Sequence, residues 1–552
     1  MPAASTPTSH GYPLLIKQLL HTPLAVQPQQ EIVYAGSQRF DYRSLVARIG
    51  QLAGLLRGLG VARGDTVAVM DWDSHRYLES YFAIPMLGAV LMTVNIRLAP
   101  EQIAYTLKHS GARVLLVNRE FLPVLEAIQS QLPALQVRVL LDDAHAPLPP
   151  GFAIEYEAGL REATPVLQFP DFDENSRATL FYTTGTTGLP KGVYFSHRQL
   201  VLHTLTAMAA LGSAAQQGRL HRDDVYMPIT PMFHVHAWGM PYVATLMGLK
   251  QVYPGRYQPA QLLALIAREK VTFSHCVPTI LHMLLEHPDA AQTNLRGWKV
   301  IIGGSALPRA LAERALAAGI DVFGGYGMSE TCPLLTLAQL DSTNLDDPAL
   351  ALERRTRAGI PVPLVELRIV DETMADVAHD GVATGEVVVR APWLTEAYLQ
   401  DEAASAALWS GGYLHTGDIG NIDAGGYLRV TDRIKDVIKT GGEWISSLAL
   451  EDIIAQHPAV SEVAVIGVAD PKWGERPLPL VVVRPGHALA EAEIIDLLAI
   501  HSQRGDISRY AIPEQVQFVD AIVRTSVGKI NKKALRSLHE GRPASTAPPR
   551  NQ

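Results

Sequence analysis

Apolar residues recur at helical spacing between residues 41 and 60, where Leu45, Ile49, Leu52, Leu56 and Leu59 share one face and Gly60 stops the run. A strand pattern follows at 66–70 (TVAVM), then a helix from about His75, then strand patterns at 113–117 (RVLLV) and 137–141 (VRVLL). The same alternation returns at 261–273 and 311–322. Strands alternating with helices predict parallel sheets covered by helices, an α/β fold. The longest apolar run, 81–94, contains Pro85 and Gly88 and is too short to cross a bilayer, so it reads as a buried helix. No repeat at a fixed period is present.

The texture changes after about Gly359. Short strand patterns at 366–370 and 385–390, separated by Asp/Gly turns, predict a β-rich subdomain. It changes again near Thr431. Strand patterns at 462–467, 478–484 and 516–519 surround an amphipathic helix at 491–501, which predicts a compact α+β module. The charged segment Asp432-Arg433-Ile434-Lys435-Asp436 lies at its start and suits a hinge.

Composition narrows the class. A chain of 552 residues has room for two to four domains. With 47% hydrophobic and 18% charged residues it has ample core, and a net charge of −8 argues against a broad nucleic-acid surface. Two cysteines, Cys276 and Cys332, make neither a disulfide framework nor a zinc spacing and fit a reducing compartment. The first eleven residues lack the pattern of a signal peptide, so cytoplasmic placement is expected. The polar, proline-rich segment 541–552 reads as a disordered tail.

The chemistry concentrates in one loop, Tyr182-Thr183-Thr184-Gly185-Thr186-Thr187-Gly188-Leu189-Pro190-Lys191-Gly192-Val193. Hydroxyls, backbone N–H groups and a lysine there can surround phosphate oxygens. It lies between two strand patterns, 178–181 and 193–195, and Gly192 follows the lysine, so it is not a Walker A loop. Four further blocks occur in order: Tyr326-Gly327-Met328-Ser329-Glu330-Thr331, Tyr413-Leu414-His415-Thr416-Gly417-Asp418, residues 432–436, and Ser526-Val527-Gly528-Lys529. Together, over about residues 12–540, these blocks resemble the adenylate-forming superfamily of acyl-CoA synthetases, adenylation domains and luciferase. The resemblance is greatest to bacterial medium- and long-chain fatty-acyl-CoA ligases.

That resemblance implies a large N-terminal adenylation domain (1–432) and a small mobile C-terminal lid (433–540). It implies ATP and coenzyme A as co-substrates and Mg2+ as cofactor: a fatty carboxylate attacks the α-phosphorus of ATP, then the thiol of coenzyme A displaces AMP. Such a reaction rests on positioning and charge neutralisation rather than a nucleophilic triad. By resemblance Thr183, Thr184, Gly185, Thr186, Thr187, Gly188 and Lys191 close over the β- and γ-phosphates. Glu330 is the expected magnesium ligand, since magnesium takes one or two carboxylates with phosphate oxygens and water. Tyr326 would stack on adenine within Gly325-Tyr326-Gly327-Met328, facing the backbone of Gly303, Gly304, Ser305 and Ala306. Thr331 would bond near the α-phosphate or the substrate carboxylate. Asp418, expected at a strand end, would accept both ribose hydroxyls, with Arg433 near ribose or phosphates.

Lys529 is the expected adenylation lysine, set among Arg524, Lys532, Lys533 and Arg536, which read alone as a solvated basic run. Lys435 takes the hinge position. Lys439, Gly441, Gly442, Glu443 and Trp444 would line the coenzyme A channel after the lid turns. Residues 231–239 (PMFHVHAWG) match the aromatic substrate motif, with His234, His236 and Trp238 lining the acyl pocket beside Gly303. Trp238 reads equally as a gate or as core packing. Alternatives to a fatty acid are an aryl, branched or sulfur-containing acid, a carrier-protein-loading ligase, or a silent nucleotide-binding scaffold. A homodimer and peripheral membrane contact fit by analogy.

Overall fold

The computed structural model describes residues 11–144, 146–183, 189–341, 346–440, 443–525 and 529–539, with Trp444 described by its backbone alone. The expectations placed on residues 184–188, 441–442, 526–528 and 541–552 lie outside these.

Two helix-covered parallel sheets make the bulk of the chain. In the first, the strands run in the order Ile154–Glu155, Val137–Leu141, Val114–Asn118, Thr66–Met70, Val90–Thr93, Arg177–Thr183 and Lys191–Ser196. All are parallel except the last pair, which forms an antiparallel hairpin with Thr183 opposite Lys191. In the second, the parallel strands Asp321–Gly327, Lys299–Ile302, Phe273–Cys276, Val225–Tyr226, Lys250–Tyr253 and Glu31–Tyr34 are flanked by antiparallel edges. Strands such as Val114–Asn118 are buried along their whole length, as a sheet with both faces covered requires.

The run at 81–94 is not one helix. It splits into the end of the helix His75–Met86, a turn at Gly88 (φ +76°), and the strand Val90–Thr93. Both elements are fully buried, so neither shows the half-polar period that separates helix from strand.

A third, antiparallel sheet holds Glu366–Val370, Gly385–Arg390, Tyr413–Ile422 and Leu428–Arg433. A fourth is built from Ile438–Thr440, Glu443–Ile445, the long hairpin Val460–Asp470/Gly474–Val483 and Gln517–Phe518. It has its own core around Ile438, Leu450, Val465, Val481 and Leu498. Among the described residues no helix is long and apolar enough to cross a membrane.

The two large sheets are joined where their strands end. Past Met70, Asp71 accepts hydrogen bonds from Ser74 Oγ (2.6 Å) and Asn118 Nδ2 (2.7 Å). Asp73 reaches the second sheet: its carbonyl accepts from Gly255 N (2.9 Å), and its carboxylate accepts from Tyr257 Oη (2.5 Å) and Met232 N (2.8 Å). Burial lifts Asp73 to about 7 against those hydrogen bonds and the Arg97 charge.

Glycine sets one close approach on the other side of the first sheet. A Cβ on Gly54, in the helix Tyr42–Gly58, would lie 2.1 Å from the Thr164 carbonyl oxygen, whereas one on Gly58 would meet nothing within 4 Å. Gly54→Ala is therefore expected to lower the thermal unfolding midpoint by a few degrees, since overpacking costs about 1–3 kcal/mol. Gly58→Ala is expected to leave it unchanged or raise it. Differential scanning calorimetry of both variants checks the contrast.

Candidate active site

A cavity lies beyond the carboxyl ends of Lys299–Ile302 and Asp321–Gly327, where open parallel sheets place their ligands. It encloses about 50 Å³. Gly303 and Gly304 continue from the first strand, Tyr326, Gly327 and Met328 from the second, and Lys529 enters from the fourth sheet's module. Leu211, Met240, Ile301 and Leu334 line it in apolar side chain. Backbone proximity explains the glycines. A Cβ on Gly303 would come within 2.9 Å of the Trp238 indole, and one on Gly327 within 1.6 Å of the Pro333 carbonyl oxygen. Gly304 has φ +79°, and a Cβ there would meet Lys529 Cε at 3.0 Å.

The polar rim is organised around two carboxylates. Glu330, buried in a short 3-10 turn, accepts from Tyr398 Oη (2.7 Å) through Oε1. The Tyr398 ring also carries Lys191 Nζ, 4.6 Å from its centroid. Tyr398 thus touches both the loop lysine and the acidic residue. Among the described residues Glu330 Oε2 accepts no hydrogen bond, and one free carboxylate oxygen suits Mg2+, which binds through few carboxylates. Asp418 accepts from Tyr326 Oη (2.7 Å) and pairs with Arg433 Nε (2.9 Å).

Lys529 completes the site. Burial and the Arg433 charge push its ammonium down from the ordinary 10.5 to about 8, with Asp418 and Glu330 pulling the other way. His234 is held neutral, at about 3, by burial and by the Lys529 and Arg97 charges.

His234 opens an unusual turn. Val235, His236, Ala237 and Trp238 all have positive φ (48°, 55°, 46° and 59°), and Gly239 continues at 72°. This is one turn of left-handed helix, after which the right-handed helix Met240–Met247 begins. A β-branched residue such as Val235 at positive φ is a genuine outlier. The turn places the Trp238 indole against His275 (centroids 5.0 Å apart) and over Gly303.

Several residues sit otherwise than their sequence pattern indicates. His236 does not line the cavity: the left-handed turn aims it inward, where it is fully buried among Tyr81, Phe181, Phe195 and Tyr242, with neither ring nitrogen bonded to a described residue. The Thr331 hydroxyl is bonded to neighbouring backbone rather than turned to the cavity. It is fully buried, and Oγ1 donates to the Pro333 carbonyl (2.5 Å) while accepting from Met328 N (3.0 Å). Asp418 lies inside the strand Tyr413–Ile422, opposite Arg433, rather than at a strand end.

Thr183 and Lys191 close the loop hairpin. Ser305 and Ala306 are exposed beyond the cavity-lining Gly304. Lys439 and Glu443 lie exposed on a hairpin of the fourth sheet, away from the cavity, and Lys435 is exposed between the third and fourth sheets. Tyr398, Leu211, Met240, Ile301 and Leu334 belong to the site without a sequence motif to announce them.

This arrangement brings together Lys191, Glu330 with a free carboxylate oxygen, Tyr326, the backbone of Gly303 and Gly304, and Lys529. Residues 20–399 match the model of the AMP-binding enzyme family, and 449–529 match the AMP-binding enzyme C-terminal domain. The chain belongs to the AMP-binding enzyme family. It is 42% identical to a long-chain-fatty-acid–CoA ligase of Thermus thermophilus, covering 91% of this chain and 90% of that protein. It is 37% identical to a 3-methylmercaptopropionyl-CoA ligase of Ruegeria lacuscaerulensis, covering 95% and 97%. A crystal structure of an anthranilate CoA ligase with anthranoyl-AMP superposes with a TM-score of 0.84 at 27% identity, covering 96% and 98%. The chain is accordingly an AMP-forming acid–CoA ligase, with ATP and coenzyme A as the co-substrates expected of its family.

A Lys529 lowered to about 8 gives the adenylation role expected of it a pH signature. The charged form predominates below that value and is lost above it. Acid-dependent pyrophosphate exchange, measured as kcat/KM for ATP, is expected to fall tenfold per unit once pH exceeds about 8, because that parameter reports the free enzyme. A profile flat to pH 10 would mean that Lys529 is not so placed.

Proposed function

We propose that the ligase activates medium- to long-chain fatty acids through an acyl-adenylate. The supporting observation is the cavity's mixed lining: Lys529, set beside Gly304, shares it with the apolar side chains of Leu211, Met240, Ile301 and Leu334. A carboxylate at the lysine directs its alkyl chain into apolar surroundings. The fatty-acid ligase relative supports the same reading.

In this reading Lys191 and the loop it closes hold the β- and γ-phosphates, and Tyr326 covers adenine. Asp418 takes the ribose hydroxyls, with Arg433 turning from it toward the phosphates. Glu330 would hold Mg2+, which neutralises phosphate charge when bound. Lys529 steadies the charge that develops as the carboxylate oxygen attacks and pyrophosphate leaves. Residues 433–540 act as the lid. It then turns about Lys435, withdraws Lys529 and brings Lys439, Glu443 and their neighbours to the channel through which the thiol arrives.

One observation favours a second reading. A space of about 50 Å³ holds a few waters rather than a fatty chain, which suits a short acid such as the sulfur-containing substrate of the Ruegeria relative. Acyl-CoA formation across straight-chain acids from acetate to oleate, with 3-methylmercaptopropionate and benzoate alongside, separates the two. A kcat/KM maximum at eight carbons or more is expected; a maximum on the sulfur acid would replace the first reading with the second. Pyrophosphate release without acyl-CoA would point to a carrier-protein acceptor.

Lys529→Ala is expected to reduce acyl-AMP formation by about 10²–10³ while sparing thioester formation from supplied acyl-AMP. Equal loss in both half-reactions would remove Lys529 from its assigned role.

A further inference from the structure

Nothing in the left-handed turn's own sequence accounts for its handedness, since four non-glycine residues occupy it. What fixes it lies in the first sheet and the helix against it. The turn's lead-in, Met232-Phe233, is bonded at three backbone groups by side chains from outside the pocket. The Asp73 carboxylate accepts from Met232 N (2.8 Å). The Tyr81 hydroxyl donates to the Met232 carbonyl. The Thr93 hydroxyl donates to the Phe233 carbonyl (2.9 Å). All three side chains are buried and none lines the cavity. Asp73 is itself held by Tyr257, and the Tyr81 ring stacks on Tyr242 (centroids 5.3 Å apart) in the helix that follows the turn.

We propose that Asp73, Tyr81 and Thr93 are specificity-determining positioning residues: by clamping Met232-Phe233 they hold Val235–Trp238 left-handed and so set how far the Trp238 indole closes the acyl cavity. The logic is geometric. Backbone in this region relaxes toward right-handed or extended conformations when its restraints go. The indole lies 2.9 Å from where a Gly303 Cβ would stand. Any relaxation that carries Trp238 away from Gly303 and His275 deepens the cavity. A longer acid then gains apolar contact, and a short one gains nothing. The ATP-facing residues Glu330, Tyr398 and Asp418 lie on other elements and keep their geometry.

The inference rests on the reading of this cavity as the acyl pocket, and Trp238→Ala tests that reading separately. The decisive variant is Thr93→Val, which keeps the shape of the side chain and deletes the donor. Tyr81→Phe does the same for the neighbouring carbonyl and serves should Thr93→Val not fold. Thr93→Ser restores the donor. For each, kcat/KM is measured over straight-chain acids of four to sixteen carbons, together with KM for ATP. Thr93→Val or Tyr81→Phe is expected to raise the ratio of the longer to the shorter acids by about fivefold, the worth of one hydrogen bond. KM for ATP should be unchanged, and Thr93→Ser should keep the parent ratio. A uniform loss over all acids would reduce the clamp to a stability role and overturn the proposal. So would an unchanged ratio in both clamp variants while Trp238→Ala shifts it. If Trp238→Ala shifts nothing either, the pocket reading falls and the clamp proposal with it.

Discussion

The left-handed turn at Val235–Trp238 is the constraint on which the site's shape depends. Each non-glycine residue in that conformation costs about 1–2 kcal/mol. A neutral hydrogen bond returns about 1 kcal/mol net and one to a charged acceptor somewhat more, so the three clamps do not cover the cost alone. Side-chain burial supplies the remainder: Val235, His236 and Ala237 are fully enclosed, and the Trp238 indole lies against His275. The unbonded nitrogens of His236 show how strongly packing dominates. A buried imidazole without partners is expensive, and burial holds it neutral at about 3. The sequence tolerates two unfavourable features at adjacent positions, and such features cluster where function fixes a geometry.

The same junction carries the architecture. Past the end of Thr66–Met70, Asp71 ties that strand to Asn118 of the neighbouring strand, and Asp73 connects the first sheet to the second through Gly255, Tyr257 and Met232. The cavity therefore has a floor from the second sheet, a wall set from the first, and a lysine from the lid. No single element could hold all three. This is why the motif residues scatter over some 350 positions yet converge, and why Tyr398, from a loop after the β-rich sheet begins, can touch both Lys191 and Glu330.

Much of this was legible beforehand. The helix at 42–58 follows from its period, because a half-buried helix exposes one, and the buried parallel strands follow from their short continuous apolar runs between helices. Glu330, Asp418 and Lys529 stand out only through the family resemblance, since alone they read as a surface glutamate, a turn aspartate and part of a basic run. What failed to show has physical reasons. The 81–94 run hid a helix-to-strand change because both parts are wholly buried. His, Val, Ala and Trp give no sign of positive φ, so the direction of His236 could not be read from its spacing to His234. The bond from the Thr331 hydroxyl to the Pro333 carbonyl has no signature in sequence. The clamp residues lie 140 to 159 positions from the groups they hold, and no local pattern records such a pairing.

The lid motion proposed for residues 433–540 would begin at a defined set of bonds. Thr431 and Asp432 precede Lys435 and end a strand of the third sheet, yet they are bonded forward to the fourth sheet's module. Ser446 Oγ donates to the Thr431 carbonyl (2.5 Å), and Ser447 donates to Asp432 through both N (2.6 Å) and Oγ (2.7 Å). Lys532 Nζ in turn bonds Ser447 Oγ (2.6 Å) and pairs with Glu451 (2.7 Å). A turn about Lys435 must break the bonds to residues 431 and 432, because those residues stay with the third sheet. The Lys532–Ser447–Glu451 group lies wholly within the module and survives. Lys532 thus keeps a carboxylate partner in either orientation, while Asp432, held above the usual carboxylate range by burial, is the group that must find water or a new donor. The orientation that delivers Lys529 to Gly304 is held by bonds to the segment immediately before the hinge, where a small rotation releases them together. Such an arrangement makes the lid's two positions discrete rather than graded.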